Sequence, residues 1–155
     1  MIEKVTEPTE WCHSLVVVPK PKGGVRICVD FRRLNEQVRR PWYPMKTVDE
    51  VIKRLPPNAR WFTTMDAVKG YYQLELDEAS RSLTTFITPW GRYRFKRLAM
   101  GMSLAQDVYD RRSDEAFENV PNSEKIRDDV IIGTEGIDSH VNTVRTALQA
   151  RRENG

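Results

Sequence analysis

The chain is poor in the residues that build metal cages, nucleophilic sites and membrane spans. It holds two cysteines and two histidines in 155 residues. Cys12 and Cys28 show no metal-ligand spacing, which argues against a disulfide framework or a Cys-based metal module. Both are expected to be reduced thiols, buried or half-buried, in a cytoplasmic protein. His13 and His140 stand alone, so each is expected to be a structural or surface residue. No apolar run approaches the ~18 residues of a membrane span, and the stretch from Met1 to Pro8 lacks the apolar core of a secretory signal. Neither a membrane partner nor export is therefore expected. Repeats, low-complexity tracts and linkers are also missing, and the length suits one domain with a real core.

No charge of one sign dominates, since the net charge is +3. Its distribution is less even. Residues 1–60 hold 12 Lys/Arg against 7 Asp/Glu, while residues 101–155 hold 7 against 11. A basic part and an acidic part are what a protein needs to attract phosphates and to hold metal ions near them, although ordinary surface charge would give the same count.

What is present concentrates at residues 125–133, Lys-Ile-Arg-Asp-Asp-Val-Ile-Ile-Gly. Asp128 and Asp129 interrupt a β-branched apolar run, a pattern that predicts strand, tight turn, strand. Two carboxylates at one turn repel each other unless a cation binds, and hard oxygen ligands suit a divalent metal. A surface hairpin with Asp serving only as turn former remains the alternative.

Along the chain, residues 14–31 predict a hairpin, with Val-rich strands on either side of Pro19, Pro21, Gly23 and Gly24. Lys20, Lys22 and Arg26 crowd its tip, where they could reach a phosphate chain. Residues 32–40 are polar and basic, and Pro41-Trp42-Tyr43-Pro44 forces an extended segment. Thr47 and Glu50 form a capping box for a helix marked by Val48, Val51, Ile52 and Leu55 and ended by Pro56-Pro57; its apolar stripe is expected to pack on a sheet. Trp61 to Met65 is strand-like and ends at Asp66, which is either a second candidate ligand or a plain strand-end cap. Tyr72, Leu74 and Leu76 alternate with polar residues, as a further strand would. One helical turn follows at 77–82, then a hairpin about Pro89-Trp90-Gly91, a helix over about 103–118, the Asp-Asp hairpin, and a last helix from near Ser139 marked by Val141, Val144 and Leu148. Hairpins interspersed with helices predict an α+β fold, an antiparallel sheet with helices packed on one face. If the Asp66 and Asp128 strands are neighbours, three carboxylates meet at one edge.

Assembled in order, these pieces resemble the reverse transcriptase domain of gypsy-type long-terminal-repeat retrotransposons and their retroviral relatives. The resemblance runs from Glu7-Pro8-Thr9-Glu10-Trp11 through Val29-Asp30-Phe31-Arg32-Arg33-Leu34-Asn35, Tyr43-Pro44-Met45, Met65-Asp66-Ala67, Leu83-Thr84-Thr85-Phe86 and Gly91-Arg92-Tyr93 to Asp128-Asp129. It implies the fingers and palm of a right-hand polymerase, with 14–60 and 77–100 mainly fingers and 61–76 and 101–155 mainly palm. The thumb, connection and ribonuclease H segments of the polyprotein would be absent, and with them processive synthesis. The implied partners are an RNA or DNA template with its primer and a deoxynucleoside triphosphate. Two Mg²⁺ ions are the implied cofactors, with Mn²⁺ as a substitute. The resemblance puts Asp66 and Asp128 on the metals, Asp129 in support and the Ala67 carbonyl beside the nucleotide-bound ion. Arg26 with Lys20 or Lys22 falls at the triphosphate grip, and Tyr71 at the aromatic position that rejects a ribose 2′-hydroxyl.

The chain departs from the family pattern in two places. The usual Tyr-x-Asp-Asp is Ile126-Arg127-Asp128-Asp129, which removes the Tyr under the primer end and sets a large cation where it could pair with Asp129 and compete with metal. The usual Pro-Phe-Gly is Ala99-Met100-Gly101, and a later family Pro is Gln106, so the loop that carries Met100 and Gly101, expected near primer and template, is altered. These departures keep open a decayed or domesticated element that binds nucleic acid or a protein without catalysis. A two-metal nuclease is disfavoured, because no His or Glu stands by the Asp cluster to activate water.

Overall fold

The computed structural model describes residues 1–21 and 23–154. The predicted phosphate contact of Lys22 lies outside the described residues. In chain order the elements are β1 (Ile2–Val5), β2 (Leu15–Pro19), β3 (Val25–Val29), α1 (Arg32–Gln37), α2 (Val48–Arg54), β4 (Trp61–Asp66), α3 (Glu78–Leu83), β5 (Phe86–Thr88), β6 (Gly91–Phe95), α4 (Ala105–Phe117), β7 (Ser123–Ile126), β8 (Asp129–Thr134) and α5 (Ile137–Asn154). The fold is α+β, and all ladders between these strands are antiparallel. No described helix is long and apolar enough to cross a membrane.

Two compact units divide the chain, Met1–Pro41 with Tyr71–Ala105 and Trp42–Gly70 with Gln106–Gly155. These units do not coincide with the expected fingers (14–60 and 77–100) and palm (61–76 and 101–155) stretches, since 42–60 lies in the second unit and 71–76 and 101–105 lie in the first. The reason is visible in the ladders and ion pairs: Glu124 of β7 holds Lys46, whereas Leu76 N–H donates to the Lys96 carbonyl.

In the first unit the sheet order is β1-β6-β5, and β2 with β3 makes a separate hairpin. Its core is aromatic: Phe31 is 2% exposed, and Phe86 and Phe95 lie 5.2 Å apart by ring centroid. His13 is buried and its Nε2 donates to the Leu83 carbonyl at 2.9 Å, a structural role as expected. Cys28 is half-buried as expected, but Cys12 is exposed. Two elements have no counterpart in the sequence pattern. Strand β1 pairs with β6 from Ile2↔Phe95 to Val5↔Arg92. Helix α1 buries only Leu34, so it shows no apolar period; its N-cap is Phe31 without a side-chain cap, and the Asp30 carboxylate before it accepts from the Arg32 N–H and guanidinium. The strand expected at Tyr72 to Leu76 is instead a 3-10 turn over Gly70–Gln73 and a single bridge, Glu75↔Arg97.

The second unit is built on the sheet β4-β8-β7. Strand alternation gives it two unlike faces. On one face Met65, Val130 and Ile132 meet Phe117 of α4 and Val144, Ala147 and Ala150 of α5. Ile132 is 0% exposed, a burial that contributes about 2–3 kcal/mol. The same face is closed polar side to polar side, since His140 of α5 joins Thr63 at 2.7 Å and Thr134 at 2.9 Å. Val141 and Leu148, which mark α5 in sequence, are exposed, so the buried face runs through His140, Thr143 and Ala147. The opposite face carries Phe62, Thr64, Asp66, Asp129 and Ile131. Helix α2 forms where the capping box predicts it, with Thr47 and Glu50 bonded reciprocally. Its Val51 and Leu55 are buried but Val48 and Ile52 are exposed, so only half of the stripe packs.

Candidate functional site

The acidic hairpin forms as its residue types dictate. Strands β7 and β8 pair from Ser123↔Ile132 to Ile126↔Asp129, which leaves Arg127 and Asp128 as a two-residue turn. Arg127 has φ +52°, the left-handed value at the first turn position that a type II′ turn gives to glycine. A long side chain in that conformation costs about 1–2 kcal/mol, so the ladder on either side holds the turn against strain.

Strand β4 brings the other carboxylate. It pairs with β8 in the register Met65↔Val130 and Asp66↔Asp129, and the Ala67 N–H donates to the Asp128 carbonyl at 3.1 Å, which ties the strand end to the turn. Paired Cα atoms in such a ladder lie about 4.5–5.5 Å apart, so Asp66 and Asp129 are immediate neighbours on the exposed face. Asp128 is turned otherwise. It lines a cleft of about 110 Å³ with Asp66, Ala67, Tyr109, Ser113 and Arg151 among its walls. Its Oδ1 is buried without a hydrogen-bond partner. Burial pushes the Asp128 carboxyl above its usual range, and the charges of Asp110, Asp66 and Asp129 push it further, with Lys125 opposing them. A half-buried carboxylate with one unpartnered oxygen among other anions is an environment that a bound cation would relieve.

Among the described residues no group of three or more Asp, Glu, His or Cys side chains could by itself hold a metal ion. That is compatible with Mg²⁺, which takes one or two carboxylates and completes its shell with water and substrate phosphate. The orphaned Asp128 oxygen, with Asp66 and Ala67 lining the same cleft, offers oxygen donors that fit such an ion.

Arg127 does not pair with Asp129. Its Nε lies 3.3 Å from the Met45 Sδ, and its side chain is exposed. The cation that matters is one the sequence reading passed over. Lys125 is 5% exposed, and its Nζ donates to the Asp110 carboxylate at 2.8 Å and the Asp110 carbonyl at 3.2 Å. Asp114 lies 3.7 Å from the same Nζ and accepts from the Tyr43 hydroxyl at 2.7 Å. Burial and this bond push the Tyr43 hydroxyl up to about 12. Tyr109 is a second unforeseen residue: its ring lies under Lys125 Nζ at 5.6 Å and Arg151 at 5.7 Å, and its hydroxyl accepts from Arg151 at 3.0 Å. A Cβ on Gly70 would meet that ring at 2.8 Å, so only glycine lets β4's exit pass over it. Asp107, Asp110 and Asp114 at helical spacing, with a lysine at a core-facing strand position, were the available signal.

The remaining predicted contacts belong to the first unit. Lys20 N–H donates to the Gly24 carbonyl across a tip where Gly23 and Gly24 have φ +88° and +83°. Arg26, Met100 and Gly101 line one groove of about 310 Å³ with Cys28, Tyr72 and Phe95. Tyr72, not Tyr71, faces that groove, and it stacks on Phe95. Asn35 clamps the loop: its Nδ2 donates to the Gly101 carbonyl at 2.9 Å and its Oδ1 accepts from the Ser103 N–H at 2.8 Å.

Comparison with known proteins supplies the remaining observations. Residues 18–155 match the family described as reverse transcriptase (RNA-dependent DNA polymerase). The chain is 31% identical over 140 residues to the retrovirus-related Pol polyprotein from transposon 412 of Drosophila melanogaster, covering 84% of this chain and 11% of that protein. Against the Pol polyprotein from transposon gypsy of the same organism it is 35% identical over 126 residues, covering 80% and 12%. Among solved structures, the foamy viral protease-reverse transcriptase in complex with double-stranded DNA superposes with a TM-score of 0.88 at 19% identity, over 99% of this chain and 27% of that one. The same viral protein with an RNA/DNA hybrid gives 0.86 at 18%, over 97% and 20%. The chain thus spans 11% and 12% of the lengths of the two polyproteins.

Proposed function

Because the chain belongs to the reverse transcriptase family, we propose that it supplies the carboxylate site of an RNA-directed DNA polymerase, which transfers deoxynucleotides to a primer 3′-hydroxyl on an RNA or DNA template. The observation that carries this reading is the register Asp66↔Asp129 beside an Asp128 oxygen that is buried and unpartnered. Asp66 and Asp128 hold the divalent ions, Mg²⁺ or Mn²⁺, with Asp129 and the Ala67 carbonyl in support. Bound there, two such ions supply Lewis acidity toward the attacking hydroxyl and neutralise the leaving pyrophosphate. The side chains do what the ions leave over. Asp66 and Asp129 present charge on the exposed face, and the Ala67–Asp128 hydrogen bond fixes one strand end against the turn. Arg26, with Lys20 or Lys22, grips the triphosphate, and Tyr71 screens the sugar. The 99–103 loop clamped by Asn35 keeps a set shape although it lacks the family's proline.

Primer extension on a poly-rA template with Mg²⁺ or Mn²⁺ tests the reading. The chain is expected to add at least one nucleotide, and Asp66→Asn with Asp128→Asn to add none. Incorporation that survives both substitutions would sink the site. Salt-sensitive binding of primer-template with no metal binding and no incorporation would instead favour a retroelement fragment that only binds nucleic acid.

A further inference from the structure

Strand β7 is one arm of the acidic hairpin, yet among the described residues its only ladder neighbour is β8. Its core-facing position opposite Val130 is filled by Lys125, where the pattern of β8 calls for an aliphatic residue. The ammonium is fully engaged by α4, through the Asp110 carboxylate and carbonyl, the Asp114 carboxylate and the Tyr109 ring. The acceptors are engaged as well, since Gln106 donates to the other Asp110 oxygen at 2.9 Å and Tyr43 to Asp114. On the opposite face the preceding residue, Glu124, accepts from Lys46 at 3.0 Å.

A buried ion pair of this kind adds little net stability over an aliphatic residue of the same size, because desolvation offsets attraction. What it adds is direction. Apolar contact lets a strand slide by fractions of an ångström, whereas two hydrogen bonds from one ammonium to a carboxylate and a carbonyl fix its depth against the helix. Two residues beyond Lys125 the backbone enters the left-handed turn at Arg127, and the next side chain is Asp128, aimed at a cleft walled by Tyr109 and Ser113 of the same helix.

We propose that Lys125, clasped by Asp110 of α4, is a positioning residue that sets where the Asp128 carboxylate stands relative to Asp66, and thereby the divalent-metal affinity of the pair. The inference rests on the carboxylate reading above. Mn²⁺ binding to the full chain, followed by the electron paramagnetic resonance of the free ion, tests it alongside thermal unfolding. The double variant Lys125→Met with Asp110→Asn removes one charge of each sign, so the net charge of the chain is unchanged. It is expected to unfold near the wild-type temperature and to bind Mn²⁺ about tenfold more weakly, as loss of an outer-shell partner does. Wild-type Mn²⁺ affinity in that folded variant would overturn the proposal. Should it fail to fold, Asp110→Glu decides: one extra methylene keeps the ion pair but displaces β7, so weaker Mn²⁺ binding supports the role and unchanged binding overturns it. Asp66→Asn with Asp128→Asn must abolish Mn²⁺ binding. If it does not, the carboxylate reading itself is overturned, and the positioning role with it.

Discussion

The two strands of the acidic hairpin are held by opposite means. Strand β8 is central in its sheet and fastened by burial, with Val130, Ile132 and Thr134 all inside. Strand β7 lies at the edge and is fastened by charge on both faces, Glu124 to Lys46 on one and Lys125 to Asp110 on the other. Burial is strong but non-directional, and ion-pair clasps are weak in net energy but fix geometry. A turn that must hold carboxylates in register is therefore built with one arm that supplies stability and one that supplies aim.

Breaking the apolar arm should have the largest effect. Ile132→Ala empties a fully buried site and is expected to cost about 3 kcal/mol in denaturant unfolding. A loss below 1 kcal/mol would mean that β8 is not fastened by burial.

The charged arm should show itself at alkaline pH. Tyr43, which donates to Asp114 in the Lys125 network, is raised to about 12 in the folded protein, while the unfolded value is near 10. A raised folded value means that the native state keeps its proton longer, so stability is intact below about pH 10 and is lost as pH rises toward 12. Discounted for partial exposure, the loss is expected to be roughly 1 kcal/mol, and Tyr43→Phe should flatten it. Thermal midpoints at pH 9 and 11.5 in the two proteins measure the difference, and equal slopes would remove Tyr43 from the arm's energetics.

The smallest effect is expected on the outer clasp. Glu124→Gln loosens a pair that is partly solvated, with side chains 30% and 16% exposed, and should cost about 0.5–1 kcal/mol, less at high salt. A cost as large as that of Ile132→Ala would erase the distinction between the arms.

Much of this hairpin was legible before any coordinates. β-branched residues around an Asp-Asp pair specify strand, turn, strand locally, and Thr47 with Glu50 specifies a helix start within four residues. The ordered motifs from Glu7 to Asp129 identified the family, which the match over residues 18–155 bears out. Other features were illegible for one recurring reason: polar side chains occupy buried positions and find their partners far along the chain. Lys125 pairs with a residue 15 positions back, and His140 bonds Thr63 across 77. Such positions carry no apolar period, so the buried face of α5 was misplaced by the exposed Val141 and Leu148. Helix α1, with Leu34 its only buried residue, left no period to see.

By itself, then, the sequence determined most of the local elements and the family, because propensity, capping and motif order are properties of neighbours along the chain. Only the tertiary structure decided that Asp66 stands opposite Asp129, that an Asp128 oxygen is buried without a partner, and that Lys125 rather than Arg127 is the cation engaged beside them. Register and burial arise from which strands and helices meet, and that is settled by packing across the chain, where a charge's partner and its desolvation are set together.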